Sequence, residues 1–263
     1  MKKKISKLLA ALLALSLVLS LAACDGFRIP EDETEISTTE PAVVSKTPQP
    51  KTSKEAVEYF NRVINAVKDE KPAVNPKLSK DVRNVETENA KLKAVVPTVK
   101  KYMLHTDTKK AAQGEDLTDI FPVKGQSWAS RITDADVKYA NCLEAEKTYE
   151  INVRFKDAVN PEPLNSSLGK AFDLADINEI LEEFKKAEAY LKVDSVDLTY
   201  KDCYIKCTVD RATDEVLSVS YFITVDVKSV VTGTGSLEGM GTVPFNFTYT
   251  STASYELSRE KAE

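Results

Sequence analysis

The stretch that decides the fold is LSVSYFITVDVK, residues 217–228. Apolar side chains occupy every second position of this stretch, and they are Leu217, Val219, Tyr221, Ile223, Val225 and Val227. Most of the intervening side chains are polar. Because successive side chains of a strand point to opposite faces, this period of two gathers the apolar set on one face. The pattern predicts an antiparallel strand with one buried face and one solvated face.

Other stretches alternate in the same way and extend the predicted sheet. Their apolar positions lie in residues 149–155, 196–200, 203–209 and 243–257. Turn signals separate the stretches at residues 144–147, 210–214 and 233–241. At about 3.3 Å per residue, the last two strands are on the order of 50 Å long. A sheet this long with one apolar face needs other elements to cover that face.

Three amphipathic helices are predicted to provide the cover. Thr52 and Glu55 fit a capping box, and the residues behind them recur at three- and four-residue steps as far as Val67. A second helix is indicated between Leu92 and Met103, where Pro97 either starts or kinks it. A third is predicted over residues 176–191. We therefore expect an α+β fold in which a long curved antiparallel sheet, a half-barrel, packs against about three helices. A closed barrel is the alternative, but it leaves the helices without a partner.

The first 23 residues have the three parts of a secretory signal. Four lysines in the first seven residues precede an apolar stretch from Leu8 to Leu21, and small residues follow. This stretch is too short to cross a bilayer core of about 30 Å as a permanent helix. Residues 1–23 are therefore predicted to be a signal peptide.

The end of this segment, Leu21-Ala22-Ala23-Cys24, resembles the lipobox of bacterial lipoproteins. The resemblance implies that the Cys24 thiol receives a diacylglycerol and that cleavage before Cys24 makes it the first residue. Two acyl chains give stable anchoring, whereas one is marginal. The expected location is the outer face of the cytoplasmic membrane. The alternatives are an ordinary signal cut after Ala23 and a plain membrane helix.

Residues 24–52 are predicted to be a disordered tether, and residues 53–263 a single α+β domain. The tether is rich in proline and threonine and contains Phe27 as its only aromatic residue, so it cannot bury enough apolar surface to order itself. Without the four N-terminal lysines, the chain has 32 basic residues against 41 acidic ones, a net charge of −9. This balance disfavours binding to nucleic acid or to anionic headgroups through bulk charge.

The sequence contains no strong catalytic or metal-binding motif. The single histidine, His105, has no accompanying nucleophile motif, and no zinc spacing, nucleotide loop or EF-hand loop is present. We expect neither an enzyme nor a cofactor or metal site. Cys203 and Cys207 lie too far apart on one strand to bridge each other. Either is able to pair with Cys142, or all three are small buried residues.

Aromatic residues are the remaining candidates for a ligand site. Phe121 and Trp128 lie in one aromatic-rich loop, FPVKGQSW, and Tyr221 and Phe245 lie on the apolar strand faces. Trp128 fits a position in the hydrophobic core as well as it fits the lining of a ligand cleft. The stretches FPVKGQSW, KDAVNP and DCYIKCTVD resemble surface lipoproteins of Gram-positive gut bacteria, which brings no activity with it. At the level of architecture, the predicted half-barrel resembles lipoproteins that carry acyl chains or glycolipids between sheet and helices.

Two functions follow from these expectations. The first is a binding or carrier module for an apolar or amphiphilic ligand, which predicts an apolar pocket of several hundred Å³. The second is a surface interaction or scaffold protein with a filled core and no small ligand. Because a fold does not determine a function, the structure of the interior has to discriminate between them.

Overall fold

One antiparallel sheet organises the chain. The computed structural model describes residues 44–104, 108–174 and 191–259. The described helices are α1 (Ser53–Glu70) and α2 (Ala90–Met103). The strands are β1 (Ala73–Glu86), β2 (Val137–Glu144), β3 (Thr148–Phe155), β4 (Ala158–Val159), β5 (Leu191–Asp210), β6 (Val216–Gly233) and β7 (Thr242–Ser258). Their order across the sheet is β1-β7-β6-β5-β3-β2, with every pair antiparallel, and β4 pairs with β5.

The predicted alternation is confirmed in β3, β5 and β6. Val153, Ile205 and Tyr221 are neighbours in register on three adjacent strands, and each is at most 3% exposed. Leu217 is an exception, because it was predicted on the buried face and is 38% exposed. The pairing of β5 with β6 shifts at this point, so Val216 takes the buried position instead. An extra residue in one strand reverses the faces on either side of it.

Helix α1 lies against the inner face of the sheet, which is the face that carries Ile151, Ile205 and Tyr221. The predicted capping box is present, because the Glu55 backbone N–H donates to Thr52 Oγ1 (3.2 Å) and the Thr52 N–H donates to Glu55 Oε2 (3.0 Å). The helix ends at Lys71, which adopts a left-handed conformation and donates its N–H to Val67 O. The predicted apolar stripe is buried, and it consists of Ala56, Val57, Phe60, Val63, Ile64 and Val67. Tyr59, which was not part of the prediction, is buried beside them.

The other two predicted helices have different outcomes. Helix α2 is present and runs through Pro97 without ending there. The third, predicted over residues 176–191, falls outside the described residues except for Leu191, which begins β5. The prediction also missed β1 completely. Its inner-face positions include Pro76 and Lys80, so the apolar alternation that identifies a half-buried strand is interrupted there.

Strands β6 and β7 form a long β-hairpin. Strands β6 and β7 are joined by residues 234–241, which include a short 3₁₀ helix, Gly235–Met240. The Gly233 N–H donates to Gly241 O (3.0 Å). A Cβ atom at Gly233 would lie 2.0 Å from Leu237 O, so only glycine fits this close approach. The sequence predicted this hairpin end from its glycines.

The end of the predicted tether differs from the expectation. Residues 45–51, which we call the strap, lie against the folded domain. The Lys46 N–H donates to Arg211 O (2.7 Å), and Gln49 Nε2 donates to Cys142 O (2.8 Å). The Arg211 guanidinium donates to Ser45 Oγ (3.0 Å), and Pro50 is buried. Residues 45–51 therefore pack on the folded domain, although they were predicted to belong to the disordered tether. Cys24 and residues 1–43 lie outside the described residues.

Candidate functional site

The four aromatic residues predicted to line a ligand site do not converge. The Phe121 and Tyr221 rings both contact Tyr255 edge-on, with centroids 5.2 and 6.0 Å from that ring. Trp128 instead lies under the Arg131 guanidinium, which is 4.5 Å from the indole centroid. Phe245 belongs to a separate small cluster, which it shares with Leu92, Val231, Met240, Val193 and Val243. The structure thus brings together two of the four residues.

A continuous series of buried aromatic side chains lies in the core on the inner side of the sheet. Phe155 contacts Phe172 (5.0 Å between centroids), which contacts Tyr221 (5.7 Å), and this series continues through Tyr255 to Phe121. All five are at most 6% exposed. Edge-on packing of this kind adds favourable electrostatic energy to the burial of apolar area. Phe172 comes from an irregular segment, so no periodic pattern in the sequence marked its position.

The Tyr221 hydroxyl lies inside this cluster without a hydrogen-bond partner among the described residues. Burial raises the pKa of Tyr221 well above its ordinary value, and the nearby Tyr255 hydroxyl raises it further. An unsatisfied buried hydroxyl costs about 1–3 kcal/mol. Tyr221 is therefore a polar defect in an otherwise apolar core.

A small cleft opens where the edge strand β1 meets β7. Its volume is about 240 Å³, below the range of about 300–1,000 Å³ that is common for small-molecule sites. The apolar side chains that line it are Pro76, Leu78, Ile120, Ala253 and Tyr255. The charged side chains that line it are Lys77, Lys109, Lys124 and Asp119. Such a cleft suits a small amphiphile with an anionic group.

The aromatic-rich loop is attached to α1 by a buried lysine. Lys68 Nζ donates to Val123 O and to Gln126 O, at 2.7 Å each. Burial lowers the pKa of Lys68 to about 8, and the surrounding carboxylates, Asp173 foremost, oppose this shift. The backbone carbonyls of Val123 and Gln126 bind the Lys68 ammonium group, and these two hydrogen bonds fix the conformation of the loop that carries Phe121.

A second aromatic group lies on the outer face of the sheet, opposite α1. The rings of Tyr204 and Phe222 are stacked, with centroids 4.1 Å apart and planes 11° from parallel. The Arg154 guanidinium lies 4.4 Å from the Tyr204 centroid, and Lys206 Nζ lies 5.9 Å from it. Sequence reasoning missed this group because Tyr204 and Phe222 each stand between two apolar residues, so their outward direction was not evident.

The three cysteines of the described chain are free and buried. Cys142 and Cys207 flank Ile151 in register on β2, β3 and β5, so both lie on the inner face. Burial raises the pKa of the Cys142 and Cys203 thiols to about 11, which suppresses the reactive thiolate at neutral pH. The sequence left open either a disulfide to Cys142 or three small buried thiols, and the structure shows the three buried thiols.

The described residues offer little else for chemistry at a metal or in a membrane. Within them, no three His, Cys, Asp or Glu side chains are placed to hold a metal ion. No described helix combines the length and the apolar composition needed to cross a membrane. His105 lies outside the described residues. Comparison with models of protein families, with curated proteins and with solved structures finds no match for the chain.

Proposed function

We propose that the protein is a lipoprotein held at the outer face of the cytoplasmic membrane by diacylated Cys24, and that its folded domain binds partners through its surface. The observation that supports a surface role is the series of buried rings in the interior, where Phe155, Phe172, Tyr221, Tyr255 and Phe121 pack against one another. A carrier that encloses an acyl chain needs that space for its cargo. The strongly curved, half-barrel form of the sheet and a third helix remain parts of this proposal.

A second candidate function is the binding of a small amphiphile in the cleft between β1 and β7. It is favoured by one observation, the presence of both apolar side chains and lysines in the lining of this cleft. The volume of about 240 Å³ suits a short chain or a single ring and not a whole lipid. This candidate requires no cavity beneath α1.

Metabolic labelling with radioactive palmitate tests the anchor. The wild-type chain is expected to incorporate label and to begin at Cys24, whereas Cys24→Ser is expected to lose the label and to retain residues 1–23. A matched variant, Cys142→Ser, keeps the label because its thiol is buried in the domain. An unlabelled mature chain that begins after Ala23 would contradict the anchor, as would an unlabelled chain that keeps its N-terminal segment.

Native mass spectrometry of the protein, purified in detergent from its own membrane, separates the two binding modes. The surface role predicts only the covalent acyl groups on the purified protein. An additional small anionic amphiphile, lost from the variant Lys124→Gln, would favour the cleft. A whole phospholipid or glycolipid bound in stoichiometric amount would contradict both candidates.

A further inference from the structure

Helix α2 is basic along its whole length. No acidic residue occurs between its first and last residues, Ala90–Met103. Its four lysines are Lys91, Lys93, Lys100 and Lys101. Helix α1 mixes its charges instead, and its Lys54 pairs with Glu58 (3.9 Å). In a chain of net charge −9 after the signal, α2 is therefore a local concentration of positive charge.

One side of α2 packs on the domain and the other side meets solvent. Leu92 is 2% exposed and belongs to a small apolar cluster, and Val96, one turn further on, is half-buried. The exposed positions of the same turns include Lys93, Ala94 and Pro97. Positions seven residues apart lie on the same side of a helix, so positions 100 and 101 share the side of positions 93 and 94. We call this side the basic face, and it consists of Lys93, Ala94, Pro97, Lys100 and Lys101.

The first two lysines of α2 are not engaged within the domain. The side chains of Lys91 and Lys93 are exposed and form no ion pair or hydrogen bond with any residue that the structure describes. Lysines of the sheet differ from them, because Lys201 pairs with Asp226 (2.5 Å). The exposed residues between the lysines of the basic face are small and uncharged, so a charged surface is able to approach the ammonium groups closely.

We propose that the basic face of α2 binds the surface of a bilayer that contains anionic lipids. The inference rests on the proposed anchor at Cys24, which keeps the domain near a bilayer. The predicted tether ahead of the strap, residues 24–43, spans roughly 25 Å as a coil. Within that span the anchor gives α2 a high effective concentration at the headgroups, so a weak charge contact is sufficient. A polyanion free in solution lacks this advantage and is repelled by the acidic domain.

This contact is electrostatic and requires no insertion of the helix. The lysine ammonium groups donate hydrogen bonds to the lipid phosphates, while Leu92 stays in its cluster with Val231 and Met240. Each lysine at an anionic surface strengthens the contact about fivefold. Because that cluster ties α2 to the β6–β7 hairpin, the contact brings the closed end of the hairpin towards the membrane. The anchor and α2 together set the orientation of the domain, whereas the anchor alone leaves it free to rotate.

Quenching of a fluorescent label by lipids with a spin-labelled headgroup measures the contact. The full chain is reconstituted into phosphatidylcholine vesicles with or without phosphatidylglycerol. The label is attached through Ala94→Cys on the basic face or, as a reference, through Glu58→Cys on α1; the three native thiols of the described chain are buried. We expect the label at position 94 to be quenched only in the anionic vesicles. Raising the salt from 0.1 to 1 M should reverse the quenching, because the Debye length falls from about 10 to about 3 Å.

Two double variants, each of which removes two positive charges, separate the basic face from the charge of the whole domain. Lys93→Gln with Lys100→Gln is expected to lower the ratio of quenched to unquenched label about 25-fold, which is fivefold per lysine. Lys54→Gln with Lys138→Gln, at exposed positions outside α2, is expected to leave the ratio unchanged.

The proposal is overturned if position 94 is not quenched in anionic vesicles, or if neutral vesicles or the reference position give equal quenching. It is also overturned if both double variants act alike, or if single-stranded dT12 releases the label from the anionic vesicles, which would indicate a nucleic-acid site. Flotation with neutral vesicles at high salt reports the anchor alone. Loss of that flotation would contradict the anchor, while salt-sensitive flotation with anionic vesicles would still support the basic face.

Discussion

Replacing Lys68 by methionine should change how stability depends on pH. In the folded protein, burial lowers the pKa of Lys68 from 10.5 to about 8. Between these two values the unfolded chain holds a proton that the folded chain has released, so raising the pH stabilises the fold. The difference corresponds to about 3 kcal/mol. The neutral amine still has two N–H groups, enough for Val123 O and Gln126 O.

Urea unfolding of the wild type and of Lys68→Met at pH 7, 8, 9 and 10 measures this effect. Trp128, the only tryptophan, lies in the loop that Lys68 binds and provides a fluorescence signal for its unfolding. The free energy of unfolding of the wild type is expected to rise relative to that of the variant by most of 3 kcal/mol across this range. Subtracting the free energy of unfolding of the variant from that of the wild type removes the contributions of the other titrating groups, because both proteins contain them. A constant difference would show that Lys68 is not desolvated, and a falling one would show that Asp173 controls its pKa.

Three other substitutions test separate parts of the structure. Asp214→Ala removes the carboxylate that accepts hydrogen bonds from Thr47, Tyr59 and Arg62. We expect the free energy of unfolding to fall by about 3 kcal/mol and limited proteolysis to cut rapidly within the strap. A strap that stays protected from the protease would contradict this. Burial raises the pKa of Asp136, but hydrogen bonds from its neighbours outweigh this and lower it to about 2. Asp136→Asn should therefore destabilise the protein at pH 7, and thermal unfolding should show the deficit shrinking as the pH falls from 4 to 2. Ile205→Ala should cost about 3 kcal/mol in chemical denaturation because its side chain is fully buried; a value below 1 kcal/mol would argue against the assigned inner face.

The parts of the fold that could be predicted are those in which local pattern and tertiary environment agree. The stretch around Tyr221 alternates cleanly because one face meets α1 and the other meets solvent, so period two was sufficient. The capping box at Thr52 was equally local. Strand β1 was missed because Pro76 stands at an inner position of an edge strand, where a missing N–H is tolerated.

The arrangement of the side chains on the surface depends on register, which the sequence does not display. Tyr204 and Phe222 meet because the pairing of β5 with β6 shifts between Lys201 and Tyr204. Without that shift, one of the two rings would point to the inner face. Phe172 was equally invisible, since it belongs to an irregular segment whose position depends on tertiary contacts. The series of buried rings and the stacked pair of Tyr204 and Phe222 therefore both required the structure.

The strap has a mechanical consequence. A pull on the chain ahead of Ser45 first meets the bonds from the strap to Arg211 and Asp214, which lie in the turn between β5 and β6. It then meets the bond from Gln49 to Cys142 on the edge strand β2. Detaching the seven residues of the strap frees up to roughly 24 Å of chain. The chain lengthens in this way before the long central strands of the sheet unpair.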